Sequence, residues 1–148
     1  MLSEKLDPGV RALLEAIAAL GAPPLESLSP AEARKVAAEN LVAVAGVVEP
    51  LRSVENLRIP GPLGEIPIRV YTPETPFPCP AMVYFHGGGW VIWDLDTHDV
   101  VCSAIAHRAG AVVVSVDYRL APEHKFPAAV TDAYAATAWV SAIKEVSA

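Results

Sequence analysis

Two short runs, AMVYF at 81–85 and AVVVSV at 111–116, are apolar at almost every position. A strand with one wet face alternates apolar and polar residues, so runs like these require cover on both faces. Residues 97–109 between them read as a helix: Asp96 suits the N-cap, Asp99 follows three residues on, and Gly110 stands just past the end. Strand, crossover helix and strand make a parallel section, which places the chain in the α/β class.

The rest of the chain is read around that unit. Leu57 and Ile59 alternate with polar neighbours, GPLG at 61–64 makes a turn, and Ile66, Ile68 and Val70 alternate again, which is a hairpin. Pro67 removes one ladder donor and places this pair near a sheet edge. TPETPFPCP at 72–80 is a proline-rich loop. A last helix is expected from about Pro127 to Val146, burying Val130, Tyr134, Ala138 and Val140 to Ile143.

Before the first strand lie two amphipathic helices. Asp7 caps the first, Pro8 suits its first position, and Val10, Leu13, Leu14, Ile17 and Leu20 form its stripe. Gly21 and the Pro23–Pro24 pair stop it. Ser29, Pro30 and Glu32 open the second with a capping box, and its face carries Ala33, Val36, Ala37, Leu41 and Val44. Such a pair alone is marginal in water. The expected division is a helical segment over 1–50 and an α/β portion over 51–148.

Composition excludes several classes of function. A net charge of −6 over 148 residues argues against nucleic acid, whose phosphates need clustered Lys and Arg. No apolar run approaches the roughly 18 residues of a membrane span. The start, MLSEKLDPGV, lacks the basic-then-apolar order of a secretory signal, so a soluble cytoplasmic protein is expected. Cys79 and Cys102 have no metal-type spacing and are read as plain reduced residues.

The chemistry centres on HGGGW at 86–90, directly after the first apolar run. Consecutive glycines admit positive φ and close approach of a ligand to the backbone. A concavity of backbone N–H groups suits a phosphate or the developing oxyanion of acyl transfer. The bland alternative is a loop that turns sharply so that Trp90 can pack. A phosphate loop needs GxGxxG or GxxxxGK[ST] opening a helix, and neither pattern is present. Asp94, Asp96, His98 and Asp99 form a group that could be imagined around a metal, but carboxylates are favoured at a helix N-terminus anyway, so no metal or other cofactor is expected.

HGGGW, DTHD at 96–99 and above all DYRLAPEHKFPAA at 117–129 resemble the hormone-sensitive-lipase-like esterases of the α/β-hydrolase fold, in the right order from about residue 50 onward. The resemblance implies the N-terminal half of such a sheet, about four strands, preceded by two cap helices. It implies an oxyanion hole built from the Gly88 and Gly89 amides, with Gly87 shaping the turn. His86 would hold the loop, and Trp90 would line or support the acyl pocket. Asp117, Arg119 and Glu123 are read as scaffold, with Arg119 and Glu123 pairing with each other or with the loop before the last helix, and Pro122 and Pro127 fixing the turn. Cap and pocket in this family suit short to medium acyl esters. One departure stands inside the match: Trp93 occupies a position that is usually glycine, and a tryptophan there is strained if φ is positive.

A hydrolase of this fold also needs a serine in G-x-S-x-G, then an acid, then a histidine. None of the nine glycines brackets a serine in that way, and all four histidines precede the place where the nucleophile belongs. Nucleophile, acid and base are therefore expected outside this sequence, and the chain alone is expected to be inactive. Its partner would be a small ester only once completed by a C-terminal half. The 81–85 strand would lack a neighbour and invite self-association. The alternatives are one chain of a split esterase and a non-catalytic interaction module.

Overall fold

Around Pro62 and Leu63 the chain reverses between β1 (Ser53–Gly61) and β2 (Gly64–Thr72), an antiparallel hairpin in which Gly61 faces Gly64 and Ile59 faces Ile66. The structure, a computed structural model, describes residues 6–143, except for the side chains of Val42 and Val44. β2 then pairs antiparallel with β4 (Val112–Val116), and β4 pairs parallel with β3 (Ala81–Phe85), giving the order β1-β2-β4-β3. β1 is an edge strand, as Pro67 led us to expect. Pro67 itself lies just outside the β2–β4 ladder, and its carbonyl accepts from Asp117 N at 3.0 Å.

Side chains alternate across the sheet and meet a helix on each face. On one face Ile66, Ile68, Val112, Val114 and Val116 pack with Tyr118 and with Ala136 of α4 (Ala128–Ala142). On the other, Tyr71 and Val113 pack with Cys102 and Ala106 of α3 (Asp99–Ala109). All of β4 is buried, which accounts for its unbroken apolar run. Gly110 ends α3 in left-handed conformation at φ 60°, the usual stop for a helix.

β3 lies at the other edge, where the sequence reading left it without a neighbour. Among the described residues it has a single ladder partner, β4. What differs from expectation is its cover: Met82 and Phe85 remain 43% and 39% exposed, although the apolar run was read as covered on both faces.

α4 is also turned differently from the sequence reading. Asp132 and Ala136 are buried, with Trp139 and Val140 packed beside the core, whereas Val130, Tyr134 and Ala138 are exposed. The helix is apolar on every side, so periodicity does not single out a face; a polar anchor at Asp132 does. Lys144 to Val146, the expected end of this helix, lie outside the described residues.

The chain divides into two compact units, one ending at Gly46 and one starting at Val47. The first holds α1 (Pro8–Ala19), a 3-10 turn at Leu25–Ser27 and α2 (Pro30–Val44). Asp7 caps α1 by accepting from Gly9 N at 2.8 Å, and Ser29 and Glu32 form the expected capping box of α2. Ala33 and Ala37 are buried, while the α1 stripe of Val10, Leu13, Leu14, Ile17 and Leu20 stays exposed along its length. The Val44 side chain lies outside the described ones. No helix among the described residues is long and apolar enough to cross a membrane.

Candidate active site: the glycine loop after β3

β3 delivers the chain to His86, and the next eight residues fold back on themselves. Gly88 and Gly89 have φ 104° and 60°, and both Trp90 and Trp93 are left-handed at 62° and 72°. Gly88 O accepts from Val91 N and Ile92 N, both at 3.1 Å, closing a tight turn. Ala121 N donates to Trp90 O at 2.8 Å, tying the turn to the segment after β4. Among the described residues, the Gly88 and Gly89 amides donate to no protein acceptor. Gly88 must be glycine, because an added Cβ would overlap the Ile92 carbonyl.

The loop is held from below. The His86 ring is buried, and its Nδ1 lies 2.8 Å from Gly87 O, so that nitrogen donates and the ring supports the turn. Burial depresses the His86 pKa, against smaller opposing contributions from Gly87 O and Asp94. The Tyr118 hydroxyl donates to His86 O at 2.6 Å, and its ring stacks on His86 at 4.4 Å. Tyr118 lies inside DYRLAPEH, but the sequence reading passed over it for its charged neighbours.

The carboxylates of WDLDTHD are each engaged. Asp94, not Asp96, caps the turn before α3: it accepts from Thr97 N at 2.9 Å and its own N–H donates to Thr97 Oγ1 at 2.9 Å. Asp96 instead meets Arg69 of β2 at 2.8 Å, and Asp99 accepts from Arg69 and from the Tyr71 hydroxyl, each at 2.6 Å. The D-x-x-T spacing was the available signal for this cap.

Arg119 does not pair as expected. Its Nε and Nη2 each lie 2.8 Å from the two oxygens of Asp132, and its backbone N–H adds a bond of 3.0 Å to the same carboxylate. Glu123 lies exposed in the segment between β4 and α4, where Pro122 and Pro127 both follow cis peptide bonds. Asp117, just past β4, is half-buried; burial first, then the charges of Asp94 and Asp96, shift its carboxyl upward from the usual carboxylate value.

Trp90 is 65% exposed and borders a cavity of about 530 Å³ with Gly89, Phe126, Pro127, Ala129 and Val130. An apolar hollow thus opens directly beside Gly89.

Trp93 meets the condition set for strain. At φ 72° a bulky residue costs about 1–3 kcal/mol, and its ring is retained because it packs over Gly87 and edge-on to His98 at 5.4 Å. Trp93→Ala and Trp93→Gly both lose the ring, but only alanine keeps the left-handed penalty. Urea unfolding should therefore show Trp93→Gly the more stable of the two by about 1 kcal/mol, the reverse of the usual order.

A mixed sheet covered on both faces, with a glycine turn leaving its parallel edge, is the arrangement found in the first half of an α/β-hydrolase fold. The family described as alpha/beta hydrolase fold matches residues 82–147. The carboxylic ester hydrolase LipN of Mycobacterium tuberculosis is 56% identical over 86 residues, 58% of this chain and 23% of LipN. The ethyl acetate hydrolase of Pseudomonas putida is 36% identical over 121 residues, 79% of this chain and 38% of that protein. The hyperthermophilic esterase of the archaeon Pyrobaculum calidifontis superposes with a TM-score of 0.79 at 47% identity, covering 92% of this chain and 44% of that one. The chain carries part of an α/β-hydrolase fold and is similar to esterases of that fold, and it spans less than half the length of these relatives.

Proposed function

We propose that this chain supplies the oxyanion-hole half of a carboxylic-ester hydrolase acting on short to medium acyl esters. The observation that carries the reading is the pair of consecutive amides, Gly88 and Gly89, without protein acceptors among the described residues, in a turn whose Gly89 lines an apolar cavity. When a serine oxygen adds to an ester carbonyl, the carbonyl oxygen takes up the negative charge. Two fixed N–H donors stabilise that charge without reorganising. Trp90 and its apolar neighbours receive the acyl chain. His86 and Tyr118 hold the turn and take no part in proton transfer, because His86 Nδ1 and the Tyr118 hydroxyl are engaged with loop carbonyls.

The serine, acid and base come from a C-terminal half, since the sequence contains no G-x-S-x-G. We place the junction along β3, whose outer edge has no strand beside it among the described residues. With that half absent, two copies of the chain pair there. A second reading, a non-catalytic interaction module, draws on the same bare edge and on the exposed Met82 and Phe85.

Reconstitution separates these readings. The chain alone should not turn over a short-chain p-nitrophenyl ester, and should sediment as a concentration-dependent dimer. Adding a C-terminal esterase fragment that bears the triad should replace the dimer with a one-to-one complex and restore turnover. Turnover by the chain alone would overturn the assignment of the triad to another half. Complex formation without turnover would favour the interaction module, and a clean monomer that binds nothing would remove the β3 junction.

A further inference from the structure

Beneath the loop lies a run of aromatic rings that ester hydrolysis does not itself require. Tyr118 stacks on His86, the His86 ring lies 5.5 Å from His98, and His98 meets Tyr84 at 5.8 Å and the edge of Trp93 at 5.4 Å. Each ring comes from a different piece of chain. Tyr84 belongs to β3, His86 opens the loop, Trp93 stands seven residues later, His98 precedes α3, and Tyr118 follows β4. Trp93 joins the loop to these rings: a Cβ on Gly87 would stand 3.2 Å from its ring, and its edge meets His98.

Hydrogen-bond partners fix the protons. Gly87 O can only accept, so His86 Nδ1 carries a hydrogen, leaving Nε2 with the lone pair of a neutral ring. That Nε2 is buried with no partner among the described residues, as is Trp93 Nε1. The single hydroxyl hydrogen of Thr97 goes to Asp94 O at 2.8 Å, so His98 Nδ1, 3.1 Å from Thr97 Oγ1, donates as well. A further proton on either ring would place an N–H and a charge among aromatic faces. The titratable groups around the pair are Tyr84 of β3, Asp94 of the loop, Cys102 of α3, and Asp117 and Tyr118 beyond β4, while Asp96 and Asp99 are held by Arg69 of β2. Asp94 alone among the carboxylates favours protonation of the two histidines, and burial, the largest influence on each, outweighs it.

We propose that Trp93 is a positioning residue of the oxyanion loop, and that through its ring the pose of Gly87 to Gly89 depends on His86 and His98 both being neutral. The inference rests on the loop's role in ester hydrolysis. Its consequence is a direction in pH. Both rings have pKa values depressed below the ordinary 6.5, so the opened loop binds more protons than the closed one. Loop order is complete above about 6.5 and is lost as pH falls from there through the depressed values.

The test reads the loop itself rather than turnover. The chain is labelled with 5-fluorotryptophan, its three resonances are assigned by Trp→Phe substitution, and ¹⁹F spectra are taken from about pH 8 down to about pH 5. The Trp93 resonance should shift with a midpoint below 6.5, the Trp90 and Trp139 resonances should hold still, and His98→Asn should move or abolish the step. Amide exchange at Gly87 to Ile92, relative to β4, should quicken about tenfold at the acid end. Trp93→Gly should give the fast exchange already at high pH, with no further acid step. A flat Trp93 resonance would overturn the proposal, as would an acid step in Trp93→Gly equal to that of the native chain. Because no ester is turned over, an inactive reconstituted enzyme would count against the oxyanion assignment and not against these couplings.

Discussion

Gly88→Ala should lower kcat of the reconstituted esterase by on the order of 10²–10³-fold, with a much smaller change in KM. The reason is local and steric. At φ 104° an L side chain is strongly disfavoured, and the added methyl would be driven into the Ile92 carbonyl. Relief requires the peptide to rotate, but Gly88 O is fixed by two bonds of 3.1 Å from Val91 N and Ile92 N. Rotation breaks that turn and swings the Gly88 and Gly89 amides away from the developing charge. Ground-state binding rests on the apolar cavity and is spared, which is why the loss falls on kcat. Gly89→Ala is the control. At φ 60° it meets open space, so it costs only about 1–2 kcal/mol of backbone strain and keeps the turn. Steady-state kinetics on a short-chain p-nitrophenyl ester would decide: a Gly88→Ala enzyme with native kcat would remove this amide from the oxyanion hole.

The features legible in the sequence are those set by neighbours along the chain. The capping box at Ser29 and Glu32, the hairpin turn at Pro62 and Leu63, and the stop at Gly110 are local, and each stands where its residues put it. Parallel pairing of β3 and β4 followed from two apolar runs around one helix, and the positive φ of Trp93 from the single position where this chain departs from a glycine. Burial was not legible to the same degree, because it depends on surfaces distant in sequence. β3 was read as covered on both faces but leaves Met82 and Phe85 exposed, and α4 is apolar on every side, so Val130 and Tyr134 were assigned inward and stand outward. The feature that orients α4 is its one acid, Asp132, an outlier among alanines that could have been matched to Arg119. Tyr118 was passed over as an ordinary member of its motif, and His98 was weighed only as a conceivable metal ligand. Their importance lies in meeting His86 in space.

Arg119→Met should destabilise the chain by about 3 kcal/mol. Asp132 is 1% exposed and receives two side-chain bonds from Arg119 at 2.8 Å. Methionine fills much of the same space but leaves a buried carboxylate with, among the described residues, only the residue 119 backbone N–H to satisfy it. An uncompensated buried charge is the costly case, whereas removing both partners is nearly free. Arg119→Met/Asp132→Leu should therefore recover most of the loss, and a double-mutant cycle from urea midpoints should give a coupling of about 2–3 kcal/mol. The consequence extends to the site, since the pair pins α4 to the segment that carries the Tyr118 hydroxyl and the Ala121 N–H, both bonded to the oxyanion loop. Arg119→Met should then also speed amide exchange at Gly87 to Ile92, some way from the altered side chain. A loss below about 1 kcal/mol, the range of an exposed ion pair, would mean that apolar packing of Ala136 and Trp139 orients α4, with the salt bridge merely following.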